Sequence, residues 1–122
     1  MKQKYGKSAA NVGDEGGFGA PQIQDEVETL DLIMEAIHKA GHEGKIDIGL
    51  DVAASEFYDS KTGKYNMSQK SGKNDRIMTP DELINLYEKL ASKYPIKSIE
   101  DPFDQDDFDS YVKMNARLGG KI

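Results

Sequence analysis

The chain has 122 residues, with 37% hydrophobic and 31% charged side chains and a formal net charge of −6. That length suits about one small domain with a thin core, and the acidic balance argues against nucleic acid or an anionic membrane surface as the main partner. Cysteine is absent, which excludes disulfides and thiolate metal sites, and no apolar run has the length of a membrane span or a secretory leader, so a cytoplasmic protein is the default expectation.

Met1 to Lys7 is basic and polar and predicts no element. Asn11-Val-Gly-Asp14-Glu15-Gly-Gly17-Phe18-Gly-Ala-Pro21 is rich in glycine and reads as a loop. Its two acids sit inside a glycine frame, and glycines let a backbone approach a ligand closely. The loop is equally read as a surface turn with solvated acids. A helix is predicted over Gln24 to Lys39, where Val27, Leu30, Ile33, Met34, Ile37 and Ala40 form an apolar stripe at steps of three and four. Acids open it, His38 and Lys39 close it, and Gly41 stops it. His38 and His42 have the spacing of a metal pair but straddle the helix end, which favours a solvated role.

Lys45 to Ala53 predicts a strand, with Ile46, Ile48, Leu50 and Val52 opposite Asp47, Gly49 and Asp51. Aromatic residues then flank a turn at Thr62-Gly63, a small hairpin on a long connection. Ser68 to Arg76 is polar, and we expect a mobile excursion within one domain. Thr79-Pro80-Asp81-Glu82 has the form of a capping box, opening a helix whose stripe is Leu83, Leu86, Tyr87, Leu90 and Tyr94. Ile96 to Glu100 is a second strand, stopped by Pro102. Asp104 to Asp107 then leads a helix with an expected apolar face of Phe108, Tyr111, Val112 and Leu118, ended by Gly119-Gly120, after which Lys121-Ile122 resembles the start of another strand.

Asp51 and Glu100 therefore both stand at carboxyl ends of strands in a β-α-β-α run, where α/β proteins build ligand sites. As isolated features they are also read as acids that cap the next element. Two full strands neither close a barrel nor make a covered sheet. The expectation is a piece of a larger α/β barrel, with an incomplete module that oligomerises to cover its edges as the alternative.

Three motifs carry a resemblance. Asn11-Val-Gly-Asp-Glu15-Gly-Gly-Phe, Gly49-Leu-Asp51-Val-Ala-Ala-Ser-Glu56-Phe and Ser98-Ile-Glu100-Asp-Pro-Phe, in this order, closely resemble enolase, as do Ala40 to Lys45 and Tyr94 to Ile96. The resemblance covers essentially all of residues 1–122, as a fragment of the enolase C-terminal barrel domain. It implies a partial (β/α)8 TIM-like barrel, a glycolytic lyase interconverting 2-phosphoglycerate and phosphoenolpyruvate plus water, a magnesium (Mg2+) cofactor and a homodimer. By motif match it implies that Asp51 and Glu100 are metal-ligating carboxylates and that Glu15 is the catalytic acid that helps the β-hydroxyl leave. Asp14 is read as holding its loop and Glu56 as organising the edge of the site. The third metal carboxylate, the lysine base and the phosphate-binding residues are expected beyond Ile122, so the fragment alone is predicted inactive. Gly19 departs from the family pattern as an extra residue. A second role implied by the resemblance is plasminogen binding through the 57–65 loop, although that loop has fewer charges than the usual pattern.

Overall fold

Three helices begin on a side chain that accepts a hydrogen bond from the helix's own first turn. Asp25 accepts from the Glu28 N–H, Thr79 from the Glu82 N–H and Asp107 from the Ser110 N–H. Such caps satisfy amides that have no partner inside the helix. They fix α2 at Glu26–Lys39, α3 at Pro80–Lys93 and α4 at Phe108–Leu118. The computed structural model describes residues 1–23, 25–68 and 75–122. Most of the polar stretch expected to be an excursion, residues 69–74, lies outside the described residues. The chain divides into two units, Met1–Glu43 and Gly44–Ile122.

In the first unit the basic start, for which the sequence predicted no element, forms a short helix, α1, at Lys2–Tyr5 and a 3-10 turn at Lys7–Ala10. The Tyr5 hydroxyl donates to Glu28 at 2.5 Å, which ties α1 to α2. Leu30 and Ile37 are the buried residues of α2, whereas Ile33 of the expected stripe is 39% exposed. The glycine-rich stretch is a small hairpin rather than an open loop. Strand β1 (Asn11–Val12) pairs antiparallel with β2 (Phe18–Gly19).

In the second unit a parallel pair is formed by β3 (Ile48–Asp51) and β7 (Ile96–Glu100). Between them in sequence lie an antiparallel three-stranded sheet of β4 (Tyr58–Asp59), β5 (Lys64–Asn66) and β6 (Ile77–Met78), and then α3. The third strand of that sheet was not predicted, since Ile77-Met78 is too short to show alternation. A parallel pair needs a crossover, and the α3 helix supplies it. The predicted first strand is shorter than its alternating pattern, and Ile46 is 43% exposed. The fold is thus mixed α/β with a parallel strand pair and no closed barrel among the described residues, as a partial barrel requires.

The core of this unit is Leu83, Ile84 and Tyr87 of α3, Met114 and Leu118 of α4, and Ala54, Tyr65 and Phe103 from the connecting segments. Ile84 was not part of the predicted stripe, yet it is fully buried. On α4 the expected face is corrected. Leu118 is buried and Tyr111 packs on the core as expected, but Phe108 and Val112 are 71% and 69% exposed, and Ser110 and Met114 turn inward in their place. The core's aromatic beside α4 is Phe103 from the preceding loop, whose ring meets Tyr111 edge-on at 5.4 Å. Arg117 of α4 bonds to Asn85 and Glu88 of α3, and Lys113 bonds to Asp81 at 3.2 Å. These exposed pairs orient the two helices more than they stabilise them.

Removing the α3 cap by Thr79→Ala should cost about 1 kcal/mol in denaturant unfolding of the intact protein. The Glu82 carboxyl lies below the usual glutamate range, because it accepts first from the Thr79 N–H and then from the Thr79 hydroxyl. A pKa depressed by folding adds stability that is present above the unfolded value, about pH 4.3, and is lost as pH falls through the folded value. Glu82→Gln should therefore flatten stability against pH below about pH 4.3. An unchanged acid slope would show that this carboxyl is not held.

Candidate functional site

The placement of Asp51 beside Glu100 depends on one residue. Ile48 pairs with Ile96, but Gly49 pairs with Ser98, so the register shifts and Lys97 has no partner on β3. Beyond the shift Leu50 pairs with Ile99 and Asp51 with Glu100. Continuing the Ile48–Ile96 pairing without the shift would set Asp51 opposite Ile99, because a slip of one residue turns every side chain to the other face. The shift thus gathers Gly49, Asp51, Ser98 and Glu100 on one face, and Leu50 and Ile99 on the opposite one, with Ile99 packed against the core. A Cβ on Gly49 would stand 2.9 Å from the Ser98 Oγ, so a glycine lets the serine lie across the strand pair just before the acids. Adjacent strands run about 4.8 Å apart, which brings two paired carboxylates within reach of one ion.

Past the acids both strands leave the sheet abruptly. Ala53 (φ 48°) and Asp101 (φ 47°) are left-handed without being glycine. Each such residue costs about 1–2 kcal/mol, and strain of this kind gathers at sites where the backbone must be aimed. The turns are clasped to each other. The Val52 N–H donates to the Glu100 carbonyl at 3.0 Å, the Ala54 N–H to the Asp101 carbonyl at 3.1 Å, and the Gln105 N–H to the Ser55 hydroxyl at 3.0 Å. A cleft between the turns is lined by Ala53, Ser55, Glu56, Asp101, Phe103 and Gln105. Glu56 therefore stands at the edge of this end of the strands.

The loop after Glu100 is held from below by three tyrosine hydroxyls. Tyr87 donates to the Pro102 carbonyl at 2.8 Å and Tyr111 to the Phe103 carbonyl at 3.2 Å. Tyr65, fully buried on β5, donates to Asp107 at 2.7 Å and accepts from the Asp104 N–H at 2.9 Å. Burial pushes the Tyr65 phenol far above the usual tyrosine range, so it stays a neutral donor. Its role was not foreseen from the sequence. The only signal was an aromatic residue set just after a Gly-Lys turn.

Asp51 and Glu100 are exposed, and neither makes a side-chain hydrogen bond or ion pair among the described residues. Two unengaged carboxylates on one face are hard oxygen donors, the donor type that suits magnesium. They form a partial donor set, since no group of three or more His, Asp or Glu side chains that could hold a metal occurs among the described residues. His38 instead lies 2.9 Å from Glu43 through its Nδ1.

Glu15 belongs to the first unit. The Gly16 N–H donates to the Gly13 carbonyl at 3.0 Å, which makes Asp14 and Glu15 the two central residues of a tight turn. Gly16 follows in the left-handed region at φ 81°, and the Gly13 N–H closes the hairpin on the Gly17 carbonyl at 2.8 Å. Left-handed glycine after a turn is the usual way to close a three-residue hairpin. The glycine frame read from the sequence is therefore a device that presents Glu15 at an exposed tip. In the 57–65 hairpin, Asp59 accepts from the Lys61 N–H at 2.9 Å and the Thr62 hydroxyl at 2.8 Å.

The model of the enolase C-terminal TIM barrel domain matches residues 1–122. Enolase from Eimeria tenella is 52% identical over 124 residues, an alignment that covers 100% of this chain and 28% of the Eimeria protein. The chain thus spans little more than a quarter of the length of that relative. With the family model matched along its whole length, the chain belongs to the enolase family, within the C-terminal TIM barrel domain.

Proposed function

We propose that residues 1–122 form part of the catalytic domain of a magnesium-dependent hydro-lyase that interconverts 2-phosphoglycerate and phosphoenolpyruvate plus water. The observation that carries this reading is the paired register of Asp51 and Glu100 at the carboxyl ends of adjacent parallel strands. Family membership supports an enolase-type lyase.

In this reading Asp51 and Glu100 hold the ion, and water, substrate or other segments of the protein complete its shell. When bound, magnesium supplies positive charge against the negative charge that builds on the substrate carboxylate as the neighbouring proton leaves. Glu15 gives a proton to the departing β-hydroxyl in the forward direction and takes it back in reverse. The left-handed turns at Ala53 and Asp101 keep the backbone from continuing the sheet over the two carboxylates. The same reading makes the protein a cytoplasmic homodimer. Lys61 and Lys64 are exposed on the 57–65 hairpin, but no observation favours plasminogen binding there over the enzymatic reading.

The test is made on the intact protein. Asp51→Asn and Glu100→Gln should each weaken magnesium binding by more than about tenfold in calorimetry without substrate. Glu15→Gln should leave magnesium binding unchanged and slow turnover of 2-phosphoglycerate by roughly 10²- to 10⁴-fold. Full turnover in EDTA, or wild-type magnesium affinity in both carboxylate variants, would reject the proposal.

A further inference from the structure

We propose that Tyr65 is a positioning residue for the cation site, acting through the loop that follows Glu100; this rests on the reading that Asp51 and Glu100 hold magnesium. Tyr65 is distant in sequence from both acids and lies on the antiparallel sheet, not on the parallel pair. Its hydroxyl nonetheless closes the loop at two points. It donates to the Asp107 carboxylate, which also caps α4, and it accepts from the Asp104 N–H. Its ring meets Phe103 edge-on at 6.0 Å, and Phe103 in turn meets Tyr87 at 6.0 Å and Tyr111 at 5.4 Å. The segment so gripped begins at Phe103, two residues after Asp101, the left-handed residue that directly follows Glu100.

The physical argument concerns what the hydroxyl alone does. With the ring in place, the packing around Phe103 survives. Without the oxygen, the half-buried Asp104 N–H loses its acceptor and Asp107 loses a donor, and a polar group left unpaired away from water is costly. The loop relieves that cost by moving toward water, and it carries Asp101 and the carbonyl of Glu100 with it. That carbonyl is the acceptor for the Val52 N–H, so the movement reaches the Asp51 side of the pair as well. Partners of this indirect kind change metal affinity by about 10- to 100-fold when removed.

The experiment compares Tyr65→Phe with Ile84→Val in the intact protein. Ile84 is a fully buried core residue of α3, and its variant lowers thermal stability by packing loss alone while leaving the three tyrosine hydroxyls in place. Magnesium affinity is measured by calorimetry without substrate, with Tm as the stability readout. Tyr65→Phe should raise the magnesium dissociation constant about tenfold, while Ile84→Val lowers Tm and leaves that constant at the wild-type value. Wild-type affinity in Tyr65→Phe, or equal weakening in both variants, overturns the proposal and makes Tyr65 a core residue only. Asp51→Asn run alongside separates the two readings. If it abolishes binding while Tyr65→Phe does not change it, only the role of Tyr65 falls; if it leaves binding intact, the site itself falls and the role of Tyr65 with it.

Discussion

The register shift at Lys97 is the constraint on which the candidate site depends. Apolar pairing alone determines which faces of β3 and β7 are buried, but it does not bring two acids together. The unpaired Lys97 does so by letting Leu50 meet Ile99 while Asp51 meets Glu100. Burial of Ile99 and Val52 against the core then locks the register, because slipping it back would turn apolar residues to the exposed face. Chemistry and packing are thus fixed by one local irregularity in a strand pair that is otherwise regular.

The loops past the acids turn this pairing into a stable end of the sheet. Two non-glycine residues in left-handed conformation persist only where their surroundings over-determine them. Here the surroundings are backbone hydrogen bonds between the two turns and three tyrosine hydroxyls bonded to the loop beneath Glu100. The aromatic cluster of Phe57, Tyr58, Tyr65, Tyr87, Phe103 and Tyr111 contributes apolar area, and its hydroxyls satisfy loop groups that would otherwise be buried unpaired. The helices α3 and α4 supply the rest of the core, and the loop that follows Glu100 enters that core through Phe103.

Much of this was legible in the sequence, for identifiable reasons. Thr79-Pro80-Asp81-Glu82 carries its own capping chemistry, and α3 begins where it says. Asp51 and Glu100 end strands because the alternation and Pro102 say so. The pairing of the two acids was not legible, since a register shift depends on partners distant in the chain. The face of α4 was legible only in part: Leu118 and Tyr111 pack on the core, but Phe108 and Val112 are exposed, and the buried aromatic beside the helix is Phe103, placed there by the path of the loop. The start of the chain held a short helix that depends on Tyr5 reaching Glu28, a contact that propensity does not encode. Ile77-Met78 became a strand because β5 offered an edge, not because of its own pattern.

The most direct measurement is a crystal structure of the intact protein soaked with manganese in place of magnesium, read by anomalous scattering. The paired-carboxylate account predicts one manganese ion bound by an oxygen of Asp51 and an oxygen of Glu100, each at about 2.2 Å. An ion held elsewhere, with either carboxylate turned away, would contradict it.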